Sequence, residues 1–423
     1  MRSWGNWVVR SWGKWVAELS YPADTVSRMT AEPTALTLLA AADELLAATR
    51  STRVERRDNT QLEALALAVS ANLPVLLWGE PGIGKSSALQ QLADRLDVPM
   101  ETVIASIHEP SDFAGLPVVG DDPATQGVPM APPDWAVRLA KRGYGLVFFD
   151  ELSSAPPAVQ AALLRVVLER RVGSLELPPA VRVVAAANPP SSAADGWHLS
   201  PPLANRFVHL HWTHDPAVVA RGLAGTWPTA DIPRVDPRKG ASALARARGT
   251  LSGFLTARPG LAHHLPADAE ARGGAWPSPR TWEMALRLLT FGMASDATRA
   301  ALSTALVGAI GDGAGLELVN YLDELDLPDP NRVLANPDAF QLPARGDRQL
   351  AFLTAVVSAV QSNTTRERWE AGWTVLSKAV EAGVPDVAAR AAADLAAMRK
   401  PAWPVPATID AFIDILSLSG ALR

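Results

Sequence analysis

The chain has 423 residues, 48% of them hydrophobic and 20% charged, with a formal net charge of −5 at pH 7 and no cysteine. That length exceeds one compact core, and the composition is that of a folded chain rather than a disordered one. The acidic balance argues against general affinity for nucleic-acid backbones or anionic membranes, while the lack of cysteine excludes a disulfide framework and thiol chemistry and fits a cytoplasmic location.

In chain order, the segments RSWGNWVV (2–9) and RSWGKWVA (10–17) repeat one another inside a Trp-rich extension, residues 1–30. They read either as a docking arm or as a stretch upstream of a working chain that starts near Met29. Residues 33–49 and 60–71 read as helices separated by a charged patch, 50–59. Five short apolar runs follow, at 73–78, 101–105, 145–149, 181–187 and 207–211, with helical stretches at 84–96, 134–141 and 156–170 between them. Such alternation predicts an α/β domain over 31–212, its five-stranded parallel sheet covered by helices on both faces. Runs such as GLVFF are apolar throughout, as doubly covered strands require.

Beyond residue 213 the strand signals stop. Helical patterns at 238–258, 279–293, 296–310 and 314–324 predict a helical lid within 213–345, and 346–423 reads as a C-terminal helical module. In that module Trp369, Trp373, Leu376 and Val380 recur at helix spacing, Thr364 with Glu367 offers a capping box, and Gly383 and Pro385 stop the helix. No run of about 18 apolar residues occurs, so no membrane-crossing helix is expected.

The chemistry concentrates at strand ends. LLWGEPGIGKSS (76–87) fits G-x-x-x-x-G-K-[ST], with Gly79, Glu80, Pro81, Gly82, Ile83, Gly84, Lys85, Ser86 and Ser87 between an apolar strand and a helix. Backbone N–H groups of such a loop turn toward phosphate oxygens, the lysine reaches the β- and γ-phosphates, and the Ser86 hydroxyl suits Mg²⁺. GLVFFDEL ends a strand in Asp150 and Glu151 at the sheet edge where ligands bind. Asp150 is the candidate for holding Mg²⁺ and Glu151 for polarising an attacking water. Asn188 ends another apolar strand, either holding the same water or simply opening a turn before proline. Arg206 precedes the last strand and is either a surface charge or a finger reaching into a neighbouring subunit. Arg280 lies in the first turn of a lid helix, where a cation opposes the helix dipole and calls for an anion. His209 and His211 alternate on a strand, with His214 beyond. That spacing admits a metal, yet no carboxylate pattern accompanies it and structural histidines are expected.

In order and context this set resembles the AAA+ ATPases over about residues 35–325. Glu80-Pro81-Gly82 in the loop, Asp150-Glu151, Asn188, Arg206 and Arg280 match that family's Walker A, Walker B, sensor 1, arginine finger and sensor 2 positions. Within the family it looks most like the MoxR and dynein-related (AAA_5) group, on the strength of ALLRVVLERRVGSLELPPAVRVVAAANPP (162–190) and SPRTW. The resemblance makes 171–179 a hairpin ahead of sensor 1 and 111–135 an insertion in the second helix. It implies ATP and Mg²⁺, hydrolysis, a homo-hexameric ring that remodels a protein partner, and a partner that in this group often carries a von Willebrand factor A domain. Asn205 stands where MoxR proteins often have an acidic residue, the loop ends in Ser-Ser rather than in threonine, and 346–423 is not covered.

Three other functions compete. A nucleic-acid-directed motor or restriction-type NTPase subunit is disfavoured by the acidic balance and the lack of a basic stripe interleaved with aromatics. A nucleotide-gated scaffold without turnover conflicts with Lys85, Glu151 and Arg206. A small-molecule kinase has no use for the lid helices and the two insertions.

Overall fold

The computed structural model of the protein describes residues 60–119, 127–189, 197–325 and 327–413. The expected helix at 33–49 and the Trp-rich segment 1–30 lie outside the described residues. The chain divides into two units, one of Met1–Thr60 with Asp215–Thr229, the other of Gln61–His214 with Ala230–Arg423.

α1 (Thr60–Ser70), buried from Leu62 onward, leads into the second unit, followed by β1 (Val75–Trp78) and α2 (Lys85–Arg95). β2 (Met100–Ile104), α3 (Pro110–Ala114) and a small hairpin of β3 (Leu116–Pro117) and β4 (Met130–Ala131) follow. Next come α4 (Asp134–Arg142), β5 (Tyr144–Asp150) and α5 (Pro157–Glu169). A second hairpin, β6 (Arg171–Val172) with β7 (Leu175–Glu176), leads into β8 (Ala180–Ala187), α6 (Pro201–Ala204) and β9 (Val208–His211). All five expected strands are present, within one or two residues of their predicted ends.

The sheet runs β2-β5-β8-β1-β9, parallel throughout. Its register sets Trp78 beside Ala187 and His211, and Ile104 beside Asp150. The segments that follow β1, β5 and β8 therefore leave the sheet at one edge. Leu76, Leu77, Phe148, Phe149 and Val184 are at most 1% exposed, as a sheet covered on both faces demands.

The two hairpins lock together. Ser174 N–H donates to the Met130 carbonyl (2.9 Å) and its hydroxyl accepts from Met130 N–H (2.8 Å). Gly173, at φ 59°, packs so closely that a Cβ there would meet the Met130 oxygen. The second hairpin turns through only Gly173 and Ser174, and Leu177 is buried at 2% exposure. It is tighter than the turn-rich composition of 171–179 suggests.

Within the first unit, α7 (Pro216–Leu223) is capped by Asp215 and sets Gly222 against Trp227. The lid comprises α8 (Gly240–Ala257), α9 (Ala269–Arg272), α10 (Pro279–Ala294), α11 (Arg299–Ile310) and α12 (Asp312–Glu324). α11 rests on the sheet edge: Gly308 lies where any side chain would collide with the His209 carbonyl, and Thr298 hydrogen-bonds to buried Glu63 at 2.5 Å.

A short helix that the sequence patterns do not mark between 324 and 346, α13 (Pro330–Ala335), forms because Asp329 caps it and Leu334 is buried. α14 (Gly346–Ser362), α15 (Arg366–Glu381) and α16 (Pro385–Ala396) complete the module around fully buried Phe352, Trp369 and Trp373. α14 lies directly on α8, because a side chain at Gly249 or Gly253 would strike Ala351. The cap of α15 departs from expectation. Thr365, not Thr364, accepts from Arg368 N–H, because Thr364 donates its hydroxyl back to the Val360 carbonyl and so finishes α14.

Candidate functional site

β1 is apolar to its end at Trp78, where the chain turns sharply through Gly79. A Cβ at Gly79 would sit 2.6 Å from the Trp212 carbonyl and 2.7 Å from Ile83, so only glycine fits beneath the loop. Gly82 and Gly84 take φ of 79° and 88°, left-handed values that side chains resist. Gly84 caps α2, whose first residue is Lys85. Glu80, Pro81, Ser86 and Ser87 are exposed around this loop, whereas Lys85 is only 7% exposed.

A buried ammonium needs partners. Lys85 Nζ has three, donating to the carbonyls of Gly79 (2.5 Å) and Glu80 (3.0 Å) and to Asn188 Oδ1 (3.1 Å). Burial lowers its pKa, and the nearby Asp150 charge pulls it back up.

Ser86 Oγ donates to Asp150 Oδ2 at 3.1 Å, and the other Asp150 oxygen accepts from Glu151 N–H at 2.9 Å. A hydroxyl and one carboxylate, with solvent on the open side, form a donor set that suits Mg²⁺, which keeps several waters and takes substrate oxygens. Glu151 is exposed and adopts φ 56°, an uncommon conformation for a side-chain-bearing residue and a pointer to a constrained role. Ser106, just past β2, donates its hydroxyl to Glu151 Oε2. Asn188 N–H donates to the buried Ser153 hydroxyl at 3.0 Å. The structure thus brings together two hydrogen-bonded pairs, Lys85 with Asn188 and Ser86 with Asp150, set side by side because Lys85 and Ser86 are consecutive, with Glu151 N–H on Asp150.

The two arginines gather elsewhere. Among the described residues no hydrogen bond or ion pair joins Arg206 or Arg280 to Lys85, Asp150, Glu151 or Asn188. They lie instead on either side of Asn205. Arg280 Nη1 donates to Asn205 Oδ1 at 3.2 Å, and Arg206 donates to the Pro202 carbonyl. The Nε of Arg206 is buried and has no hydrogen-bond partner. Burial first, and the charge of Arg280 second, lower the pKa of Arg206. Two guanidinium groups close enough to repel each other, with no carboxylate partner among the described residues, make a surface suited to an anion.

The histidines separate. His209 is 4% exposed, accepts from the Trp78 indole N–H at Nδ1 (2.8 Å) and donates from Nε2 to the Ala204 carbonyl (2.8 Å). It is a structural group, while His211 is exposed, and the described residues contain no cluster of metal-ligating side chains.

Sequence reasoning missed Ser106 and Ser153, whose partners lie 45 and 35 positions away. It also missed the role of Ser278, although Ser-Pro-Arg-Thr carries a legible signal: a serine cap, proline at the first helical position, and a side chain at the third to close the box.

A glycine-cradled lysine at the start of a helix, on the edge of a parallel sheet, defines a P-loop nucleotide-binding fold. More narrowly, residues 74–207 match the AAA domain of the dynein-related subfamily. The MoxR-like character read from the motifs has matching relatives. Protein MoxR of Methylorubrum extorquens AM1 is 32% identical over 114 residues, which is 27% of this chain and 32% of that protein. The denitrification regulatory protein NirQ of Pseudomonas aeruginosa PAO1 is 28% identical over 168 residues, 37% of this chain and 61% of that protein. The chain therefore spans about a third and about three fifths of these two relatives. A solved chain from Cytophaga hutchinsonii aligns at a TM-score of 0.40 and 17% identity, covering 69% of this chain and 99% of that one. No helix among the described residues is long and apolar enough to cross a membrane.

Proposed function

We propose that the protein is an ATPase that hydrolyses ATP with Mg²⁺ at the Gly79–Ser87 loop and works as a homo-oligomeric ring. The observation that carries this reading is the saturated Lys85: a buried ammonium held by the loop's own carbonyls and by Asn188, beside the Ser86–Asp150 pair. These are groups that phosphate oxygens and a cation would take over.

In this reading the loop amides and Lys85 bind the β- and γ-phosphates, while Ser86 and Asp150 hold Mg²⁺. Bound Mg²⁺ neutralises phosphate charge. Glu151, released from Ser106, orients a water and accepts its proton, and Asn188 follows the γ-phosphate through its contact with Lys85. Arg206 and Arg280 form a second half-site that completes the phosphate site of an adjoining subunit. Support for this division is their joint separation from the Lys85 group. The hexameric state, a partner protein and a von Willebrand factor A domain in that partner rest on the family resemblance, and so do the domain limits 31–212, 213–345 and 346–423.

The test is phosphate release by the purified chain, set against Glu151→Gln. The amide keeps the shape of the side chain but cannot take a proton, so nucleotide affinity should stay and turnover stop. Turnover by Glu151→Gln near that of the wild type removes Glu151 from the mechanism. No phosphate release by the wild type, with nucleotide bound and oligomer present, removes hydrolysis itself.

A further inference from the structure

The group around Asn205 is built more carefully than a loop between two strands requires. Asn205 is 1% exposed, and every polar atom of its side chain is engaged. Oδ1 accepts from Ser278 Oγ at 2.8 Å and from Arg280 Nη1 at 3.2 Å, and Nδ2 donates to the Trp276 carbonyl at 3.1 Å. All three partners belong to the approach and first turn of α10, more than 70 positions along the chain. Ser278 is also the cap of that helix, exchanging bonds with Thr281. A single amide thus fixes the start of α10 and the guanidinium it carries.

The other side of Asn205 is equally fixed. Arg206 is the next residue, and the turn that holds it is pinned by Arg206 N–H to Leu203, Phe207 N–H to Ala204, and the His209 ring to Ala204. Phe207 is buried at 1% exposure and anchors the turn. Arg206 and Arg280 repel one another, so their closeness has to be imposed. An amide at position 205 imposes it without neutralising either charge.

We propose that Asn205 is a positioning residue: its buried side chain ties the start of α10 to the residue before Arg206, so that Arg280 and Arg206 are presented together as one anion-binding pair. This rests on the ATPase reading for what the pair does, but not for the tie itself. A lid that shifts must carry Arg280 away from Arg206 or strain the Asn205 bonds, so the pair is complete only when the lid is seated.

Two measurements on the full-length chain separate the tie from its use. The first is amide hydrogen exchange of peptides spanning 276–284, without nucleotide, in wild type, Asn205→Ala and Asn205→Asp. Asn205→Ala removes both acceptor contacts and should raise exchange there about 10-fold, the scale of a lost hydrogen bond to a charged group. Asn205→Asp keeps both acceptor contacts but sets a carboxylate oxygen against the Trp276 carbonyl, so its exchange should lie between those of wild type and Asn205→Ala. Exchange in Asn205→Ala equal to that of wild type overturns the tie.

The second is turnover in a double-mutant cycle of Asn205→Ala with Arg280→Ala, in oligomers verified by sizing. If Asn205 acts through Arg280, each single change lowers kcat by about 10-fold or more and the double falls no more than about 2-fold below the worse single. Losses that multiply overturn the positioning role. Absence of turnover in the wild type overturns the ATPase reading and the proposed use of the pair, whereas the exchange result still decides the tie.

Discussion

His209 joins two functional elements, so its protonation should be visible in stability. Its ring accepts from Trp78, the residue before the phosphate loop, and donates to Ala204, in the turn that carries Arg206. These bonds fix the neutral ring with its hydrogen on Nε2. Protonation would set a second donor at Nδ1 against the indole N–H. Burial first, opposed by the Ala204 bond and helped by His211, lowers the pKa from 6.5 to about 4. Above pH 6.5 the ring is neutral in both folded and unfolded chains and contributes no pH dependence. Between 6.5 and about 4 the unfolded chain takes up a proton that the folded one refuses, so stability falls as pH falls, and below about 4 the loss is complete. At about 1.4 kcal/mol per pH unit the loss comes to about 3 kcal/mol. His209→Gln has no such titration, though its stability carries a constant offset. The assay is urea unfolding at several pH values from 7.5 to 4, read by pulse-labelling of peptides from β1 and β9 so that only this region is scored. The wild type should lose about 3 kcal/mol more than the variant on acidification. Parallel pH profiles for the two would falsify the argument.

Three further outcomes are expected. Arg206→Ala should lower hydrolysis by about 10³–10⁵, roughly 4–7 kcal/mol of barrier, against about 0–1 kcal/mol for an exposed ion pair. Mixing it with Lys85→Ala subunits should restore part of the rate, and no recovery in proven mixed assemblies would mean that Arg206 does not act across an interface. Ser174→Ala strips Met130 N–H of its acceptor, which should cost about 1 kcal/mol locally and speed exchange across both hairpins about 5-fold with nucleotide affinity unchanged; exchange confined to one hairpin would show that they are not coupled. Gly249→Val should force α8 and α14 apart at a cost of about 1–3 kcal/mol, seen as a lower Tm and faster proteolysis within 346–413, and an unchanged Tm would refute the close approach.

The strands and the loop were legible because their signals are local. An apolar run bounded by glycine or an acidic pair reads the same in isolation as in the sheet, and all five strands lie within two residues of their expected ends. The same locality explains what stayed hidden. Asn205 gains its meaning from Ser278 and Arg280, and Glu151 from Ser106, and no spacing rule joins such distant pairs. Where a local signal had two readings, context chose. Two adjacent threonines precede α15, and the first is already spent on the end of α14. His209 and His211 share a strand spacing, yet only His209 has an indole and a carbonyl within reach.

β1 is the centre from which both halves of the site can be reached. It pairs with β8 on one side and β9 on the other. The parallel ladders hold these strands in fixed register, so a change at the phosphate loop cannot slide one strand past another. It has to leave through side chains at the strand ends. On the β8 side the exit is Lys85 to Asn188, and β8 begins where the Gly173–Ser174 hairpin, docked on Met130, ends. On the β9 side the exit is Trp78 to His209 to the Ala204 turn, and from there Asn205 leads to α10 and the lid. The lid continues without a gap into the C-terminal module, because Gly249 and Gly253 let α14 lie on α8. A two-state change at Lys85 would therefore meet two separate mechanical elements, hairpins on one side and arginine pair on the other. Substitutions along one exit should leave the other intact, which is why Ser174 and Asn205 are independent probes of one nucleotide.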